Sequence, residues 1–288
     1  MFRHQTIAIA LVMAAAPALS QDFDAVEVTV HEVSGDVHYI KGEGGNIGML
    51  AGPDGVFLVD DQYAPLTDKI VAAIRTVSDE PIRVVINTHL HPDHTGGNEN
   101  FGRLGAMIVG HDNVRLQMQR LGYTQQPPAV TFSRDMTFNV NDEVIHVFKI
   151  PDAHTDGDSF IKFEKANVIH TGDTFRTTGY PYIDLRSGGS FLGTIRAHDL
   201  LIDISDVDTR ILPGHGVVVG VNTVRETRDM LLTLRDRVQT AINEGMSVEE
   251  AQAAGLTEDF DSKYRPAGNF GTPEQLIAAA YADLAPSE

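Results

Sequence analysis

The chain has 288 residues, 42% of them apolar, no cysteine and a formal net charge of −18. Those figures exclude a disordered or low-complexity chain, a disulfide scaffold and any thiolate catalyst or thiolate metal ligand. An acidic surface repels phosphate backbones, so no nucleic acid partner is expected and a small-molecule substrate is.

The first twenty residues carry Arg3 and His4, an apolar run from Ile7 to Ala16, then Pro17 and the small-residue pattern Ala18-Leu19-Ser20. That is the layout of a secretory signal peptide cleaved after Ser20. The run is too short for a bilayer, which needs about 20 apolar residues. The expected mature chain, residues 21–288, is therefore periplasmic or secreted, without stable membrane insertion. Lacking disulfides there, it must hold itself together by core packing, which about 268 residues can supply.

Strands are predicted at 26–33, 37–40, 46–52 and 56–61, separated by the turn stretches SGD, KGEGG and PDG. Helical spacing at Leu66, Ile70, Ala73 and Ile74 follows, then a strand at 81–89. A second round gives a strand at 106–111, a helix at 113–121 and strands at 136–140, 143–150, 159–163 and 167–173. Ser190 is placed to cap a helix through about Leu201, and 209–215 is another strand. Residues 221–242 carry an apolar stripe through Leu231, Leu234, Val238, Ala241 and Ile242. Thr272-Pro273-Glu274-Gln275 reads as a helix start, and about 245–288 as an acidic helical extension. Strand clusters alternating with helices predict an α/β fold, two sheets face to face with helices outside, in one domain.

His89-Leu90-His91-Pro92-Asp93-His94 follows the strand at 81–89. Residues two apart on an extended run point the same way, so His89 and His91 can reach one ion. Pro92 disfavours a continued strand, which leaves Asp93 and His94 in the turn, facing a second ion. Gly96 and Gly97 allow close backbone approach. His154, Asp173 and His215 each follow an apolar run beside Gly or Pro. Converging strand ends are how a rigid scaffold builds a site. Imidazole and carboxylate donors suit a borderline divalent ion, zinc first. His31, His38, His146, His170, His111 and His198 sit inside apparent strands or helices and are not expected to bind metal.

HxHxDH followed by a later His, a Gly-Asp and a Pro-Gly-His resembles the metallo-β-lactamase superfamily, over about Val26 to Ile242. The resemblance implies a four-layer αββα sandwich. It implies two zinc ions per chain, one on His89, His91 and His154, the other on Asp93, His94 and His215. Asp173 falls where glyoxalase II and lactonase members place a bridging carboxylate, whereas the lactamase subclass of similar loop layout has a cysteine. Two such ions about 3.5–4 Å apart can share a water and lower its pKa toward 7. Asp93 is then the catalytic carboxylate that orients this nucleophile or shuttles its proton. Arg176 lies where that subclass places a carboxylate-gripping lysine, and a bidentate contact would serve the same end. The asparagine with which those lactamases polarise the lactam carbonyl has no counterpart in TTGYPYIDLRSGGSF. Tyr180 and Tyr182 are candidates to wall the pocket or donate to an oxyanion, and Lys41 to Asn46 forms either a flap over the site or a plain hairpin turn.

The expected function is an exported dizinc hydrolase that opens a cyclic amide, with β-lactam turnover at least as a side activity. The alternatives are a lactone, ester or thioester hydrolase on the same site and, in another class, an iron-binding redox protein.

Overall fold

A meander followed by crossovers builds the first sheet. In the computed structural model, which describes residues 22–264 and 270–286, β1 (Thr29–Ser34), β2 (Val37–Lys41), β3 (Ile47–Gly52) and β4 (Gly55–Val59) pair antiparallel in sequence order. Helix α1 (Thr67–Ile74) leads to β5 (Ile82–Asn87), and the short helices α2 (Pro92–Thr95) and α3 (Asn98–Arg103) lead to β6 (Met107–His111). Helix α4 (Asp112–Arg120) leads to β7 (Val130–Phe132), and β5, β6 and β7 each add in parallel.

The second sheet starts with antiparallel β8 (Asp135–Val140), β9 (Glu143–Lys149), β10 (Ser159–Phe163) and β11 (Val168–His170). Helix α5 (Phe191–Asp203) crosses to β12 (Arg210–Leu212), parallel to β11, and β13 (Val219–Gly220) forms the edge. The chain then turns helical: α6 (Val221–Asn243), α7 (Val248–Ala253), α8 (Asp261–Tyr264) and α9 (Pro273–Leu284).

Strand periodicity explains why these layers stack. On β4, Phe57 and Val59 face the second sheet while Val56 and Leu58 face α1; on β5, Val84 and Ile86 point inward and Val85 outward. Between the sheets those residues meet Ile145, Val147, Ile161, Phe163, Val168 and Leu212. Ile70 and Ile74 of α1 and Phe101 of α3 cover the outer face of the first sheet. Ala197, Leu201 and Val224 of α5 and α6 cover that of the second. Each such side chain of valine size or larger contributes about 1.5–3 kcal/mol on burial. The result is the expected four-layer αββα sandwich. Among the described residues, no helix is long and apolar enough to cross a membrane.

Ser190 caps α5 by accepting from Gly193 N at 2.9 Å, and its hydroxyl donates to Asp283 Oδ2 of α9 at 2.7 Å. The Thr272–Gln275 capping box also forms. Together these dock the C-terminal helices on the second-sheet side, where Leu276 and Ile277 of α9 share a core with Leu231 and Leu234 of α6. The first strand starts at Thr29, not at Val26. Helix α3 and the short edge strands β7 and β13 were not anticipated, because four- to six-residue polar or two- to three-residue segments show no period to read. The signal-peptide assignment falls outside the described residues.

Candidate metal centre

Four loops at strand ends and one helical turn converge at one rim of the sandwich. His89 and His91 leave the end of β5, and His154 lies in the loop before β10. Asp93 and His94 lie in α2, a single helical turn begun by Pro92 and not the open turn expected from sequence. Asp173 follows β11 and His215 follows β12.

These residues form three overlapping donor groups whose ligand atoms lie within 4.8 Å of one another: His89, His91, His154; Asp93, His94, His215; and His89, His94, Asp173. His154 Nε2 is 2.8 Å from His91 Nδ1. In the second group, His94 Nε2 is 3.4 Å from His215 Nε2, and Asp93 Oδ2 is 3.5 Å from the former and 3.2 Å from the latter. Donors about 2.0–2.1 Å from a tetrahedral zinc stand roughly 3.4 Å apart, so this triangle fits such an ion. Asp173 lies between the groups, with Oδ1 3.2 Å from His94 Nε2 and Oδ2 3.2 Å from His215 Nε2 and 3.9 Å from His154 Nε2. Buried His89 Nε2 has no hydrogen-bond partner, and Asp173 Oδ1 has only its ion-pair contact with His94, without a well-aligned hydrogen bond. A buried polar atom without a partner costs free energy, and a metal ion at this point would satisfy both.

The outward ring nitrogens are fixed by groups that, Tyr182 apart, the sequence did not single out. His94 Nδ1 meets Asp60 Oδ2 at 2.7 Å, and Asp60 also accepts from Thr88 N and Oγ1. His89 Nδ1 meets Thr88 Oγ1 at 2.9 Å, His91 Nε2 meets Asp184 Oδ2 at 3.0 Å, and His154 Nδ1 donates to Tyr182 O at 2.7 Å. Such partners set the tautomer and aim the other nitrogen at the metal. Asp60 and Gln62 hold positive φ, 65° and 56°, a backbone strain that brings Asp60 beneath His94.

The electrostatics separate the two groups. Burial, reinforced by the neighbouring histidines, pushes His154 down to about 4 and His89 well below its usual range, so both rings are neutral. Burial opposes ionisation in the second group too, but there opposite charges win. Beside His94 and His215, Asp93 is held down at about 2 and Asp173 well below the carboxylate range. His215 rises to about 9 against Asp173 and Asp93, and His94 rises likewise. Without an ion the second group behaves as a charged network; a divalent cation would replace its protons.

Above the centre lies a cleft of about 650 Å³. Tyr182, Arg176, Tyr63, Tyr123, Arg186 and Phe270 contribute to its walls. Arg176 is half-buried and its guanidinium donates to Thr178 Oγ1. Tyr180 does not reach the cleft. Its side chain is fully buried among the C-terminal helices, with its hydroxyl donating to Asp261 Oδ1 at 2.8 Å; the ring is core and not a pocket wall, because the C-terminal helices, distant in sequence, close over it. The Lys41–Asn46 segment is the β2–β3 turn, and it is tied down. Gly45 N donates to Asp93 O, Asn46 N to Gly214 O, and Asn46 Nδ2 to Pro213 O and Gly216 O. It is a strut of the site and not a flap.

Comparison with known proteins agrees with this architecture. A metallo-beta-lactamase from Pontibacter korlensis superposes with a TM-score of 0.61 at 19% identity, covering 71% of this chain and 99% of its own. The sec-alkylsulfatase Pisa1 from Pseudomonas sp. superposes with a TM-score of 0.74 at 14% identity, covering 88% of this chain and half of its own. In sequence, a linear primary-alkylsulfatase of Pseudomonas sp. (strain ATCC 19151) is 37% identical over 54 residues, 18% of this chain and 10% of that protein. The present chain therefore spans only part of the alkylsulfatases it matches. The structural likenesses establish the fold, and the sequence profile of one family covers residues 40–221, from β2 to the start of α6 and across all seven donors. The chain belongs to the metallo-beta-lactamase superfamily.

Proposed function

We propose that the chain is an exported two-zinc hydrolase that opens a cyclic amide in a small anionic substrate, β-lactams included. The observation that carries hydrolysis is the seven-residue His/Asp donor set, five members of which line one cleft while His89 and His94 lie buried beneath it. Export rests on the Met1–Ser20 pattern. Nitrogen and oxygen donors without thiolate favour zinc over softer metals. His89, His91 and His154 would hold one ion; Asp93, His94 and His215 the other, with Asp173 between them. Bound there, zinc supplies Lewis acidity, making a water nucleophilic near neutral pH and polarising the carbonyl under attack.

The chain's own groups do the rest. Asp93, whose side chain is 22% exposed, reaches the cleft and is ionised, so it can take a proton from the attacking water. Burial and the nearby acids raise Tyr63 to about 12, and burial raises Tyr123 and Tyr182, so these phenols keep their protons. A phenol of this kind can donate to the oxygen that gains charge. Arg176 and Arg186 supply positive charge in an otherwise acidic molecule and draw an anionic substrate.

Hydrolysis of an ester, lactone or thioester is the second reading, and the carboxylate of Asp173 between the two groups favours it. Sulfate esters belong with it, since two of the similar proteins are named alkylsulfatases. Metal analysis of the purified chain, with turnover of a chromogenic cephalosporin, a lactone and an alkyl sulfate, decides. Two zincs with cephalosporin turnover support the first reading. Two zincs with lactone or sulfate turnover alone select the second. Iron with a visible chromophore and no hydrolysis would select redox chemistry and overturn both.

A further inference from the structure

One feature of the cleft is not explained by metal binding. The ring of Tyr182 stands 5.7 Å from that of His154 and meets Phe270 edge to face at 5.4 Å. The three rings form a ladder from the first donor group to the rim. Phe270 is 61% exposed, a large apolar side chain held in water. Its backbone is anchored: Tyr180 N donates to the next residue's carbonyl, Gly271 O, at 3.2 Å, and the capped start of α9 follows at once. Leu121 and Tyr123, beyond α4, line the same cleft. An exposed, fixed apolar surface beside a reactive centre is costly to keep unless something covers it.

We infer that the site takes an amphiphilic anion. An alkyl or aryl arm next to the bond being cleaved lies on Tyr182 and Phe270, while a negative group reaches Arg176 or Arg186. Phe270, delivered by the C-terminal extension, is the specificity-determining residue for that arm and does not touch the reacting atoms. The inference deepens the hydrolase reading and rests on it.

The test uses the zinc-loaded full chain and n-alkylphosphonates from two to eight carbons, with affinity measured by calorimetry. Each methylene laid on the ladder should tighten binding roughly two- to fourfold. Phe270→Ala should flatten the series, and Phe270→Leu should restore most of the slope. Affinity independent of arm length, an unchanged slope in Phe270→Ala, or no phosphonate binding at all would overturn the inference. Cephalosporin or ester turnover alongside a flat slope would leave the hydrolase reading standing and remove only the amphiphile. A steep slope lost in Phe270→Ala, with no hydrolysis of any tested bond, would remove the hydrolase reading and keep the binding preference.

Discussion

Asp184 anchors the candidate metal centre from outside it. Its Oδ2 meets His91 Nε2 at 3.0 Å and accepts from Ser187 Oγ at 2.6 Å, and its backbone N donates to His154 O. Burial would raise its carboxyl, yet the contacts with His91 and Ser187 hold it well below the usual range, so it stays an anion. Asp184→Asn should therefore weaken zinc binding at the His89–His91–His154 group about 10–100-fold, read by competition with a chelator; unchanged affinity would reduce Asp184 to a loop brace. Arg176→Ala should raise KM for a carboxylate-bearing substrate about tenfold with kcat little changed, as expected for loss of a charged hydrogen bond. Equal kinetics would return Arg176 to its contact with Thr178. All seven candidate donors could be picked out in the sequence because HxHxDH concentrates four of them and His154, Asp173 and His215 each follow an apolar run beside Gly or Pro. Asp60 and Asp184 were not legible. They lie 34 and 93 residues from the histidines they orient, and only the folded topology brings them there.

At the level of elements, the β2–β3 turn shows how backbone shape fixes the candidate donors. A Cβ built on Gly45 would stand 2.1 Å from the His94 ring, and one on Gly214 would stand 2.0 Å from Asp173 Oδ1. Both contacts are far inside van der Waals range, so each glycine is the space its neighbouring donor occupies. Gly45→Ala should displace His94 and lower zinc content from two to one per chain. Gly220→Ala, where an added Cβ meets nothing within 4 Å, is the control. Two zincs in Gly45→Ala would mean that the turn yields, as a flap would. The sequence marked this segment as a turn from its glycines but could not say what it touches, since turn composition carries no tertiary address. The strands and the long helices were readable for the opposite reason. Their apolar residues recur at the period of the element, as Phe57 and Val59 against Val56 and Leu58 illustrate.

Across the whole molecule, several histidines are buried as neutral rings, and this ties stability to pH. His198 reports that coupling most cleanly. It lies on α5, and its Nε2 donates to Thr174 O at 3.0 Å. Burial lowers it from 6.5 to about 4. The unfolded chain therefore binds a proton in this window that the folded chain refuses. The stabilisation is present above pH 6.5 and is lost as pH falls toward 4, about 3 kcal/mol at most for this one group. His154, His89 and His170 are lowered too and act in the same direction. His94 and His215 are raised and act oppositely in the metal-free protein: their contribution is full below 6.5 and fades as pH rises through the folded values, about 9 for His215. The total profile is thus a contest, and the difference between two variants isolates one term of it. In metal-free protein, His198→Gln keeps a donor for Thr174 O but cannot take up a proton. Its denaturation midpoint should fall less than that of the parent chain between pH 6.5 and 4, the gap narrowing or reversing toward the acid end. Parallel curves would show that the ring ionises in place without unfolding the α5 layer, and the packing of that helix over the second sheet would then be looser than its full burial implies.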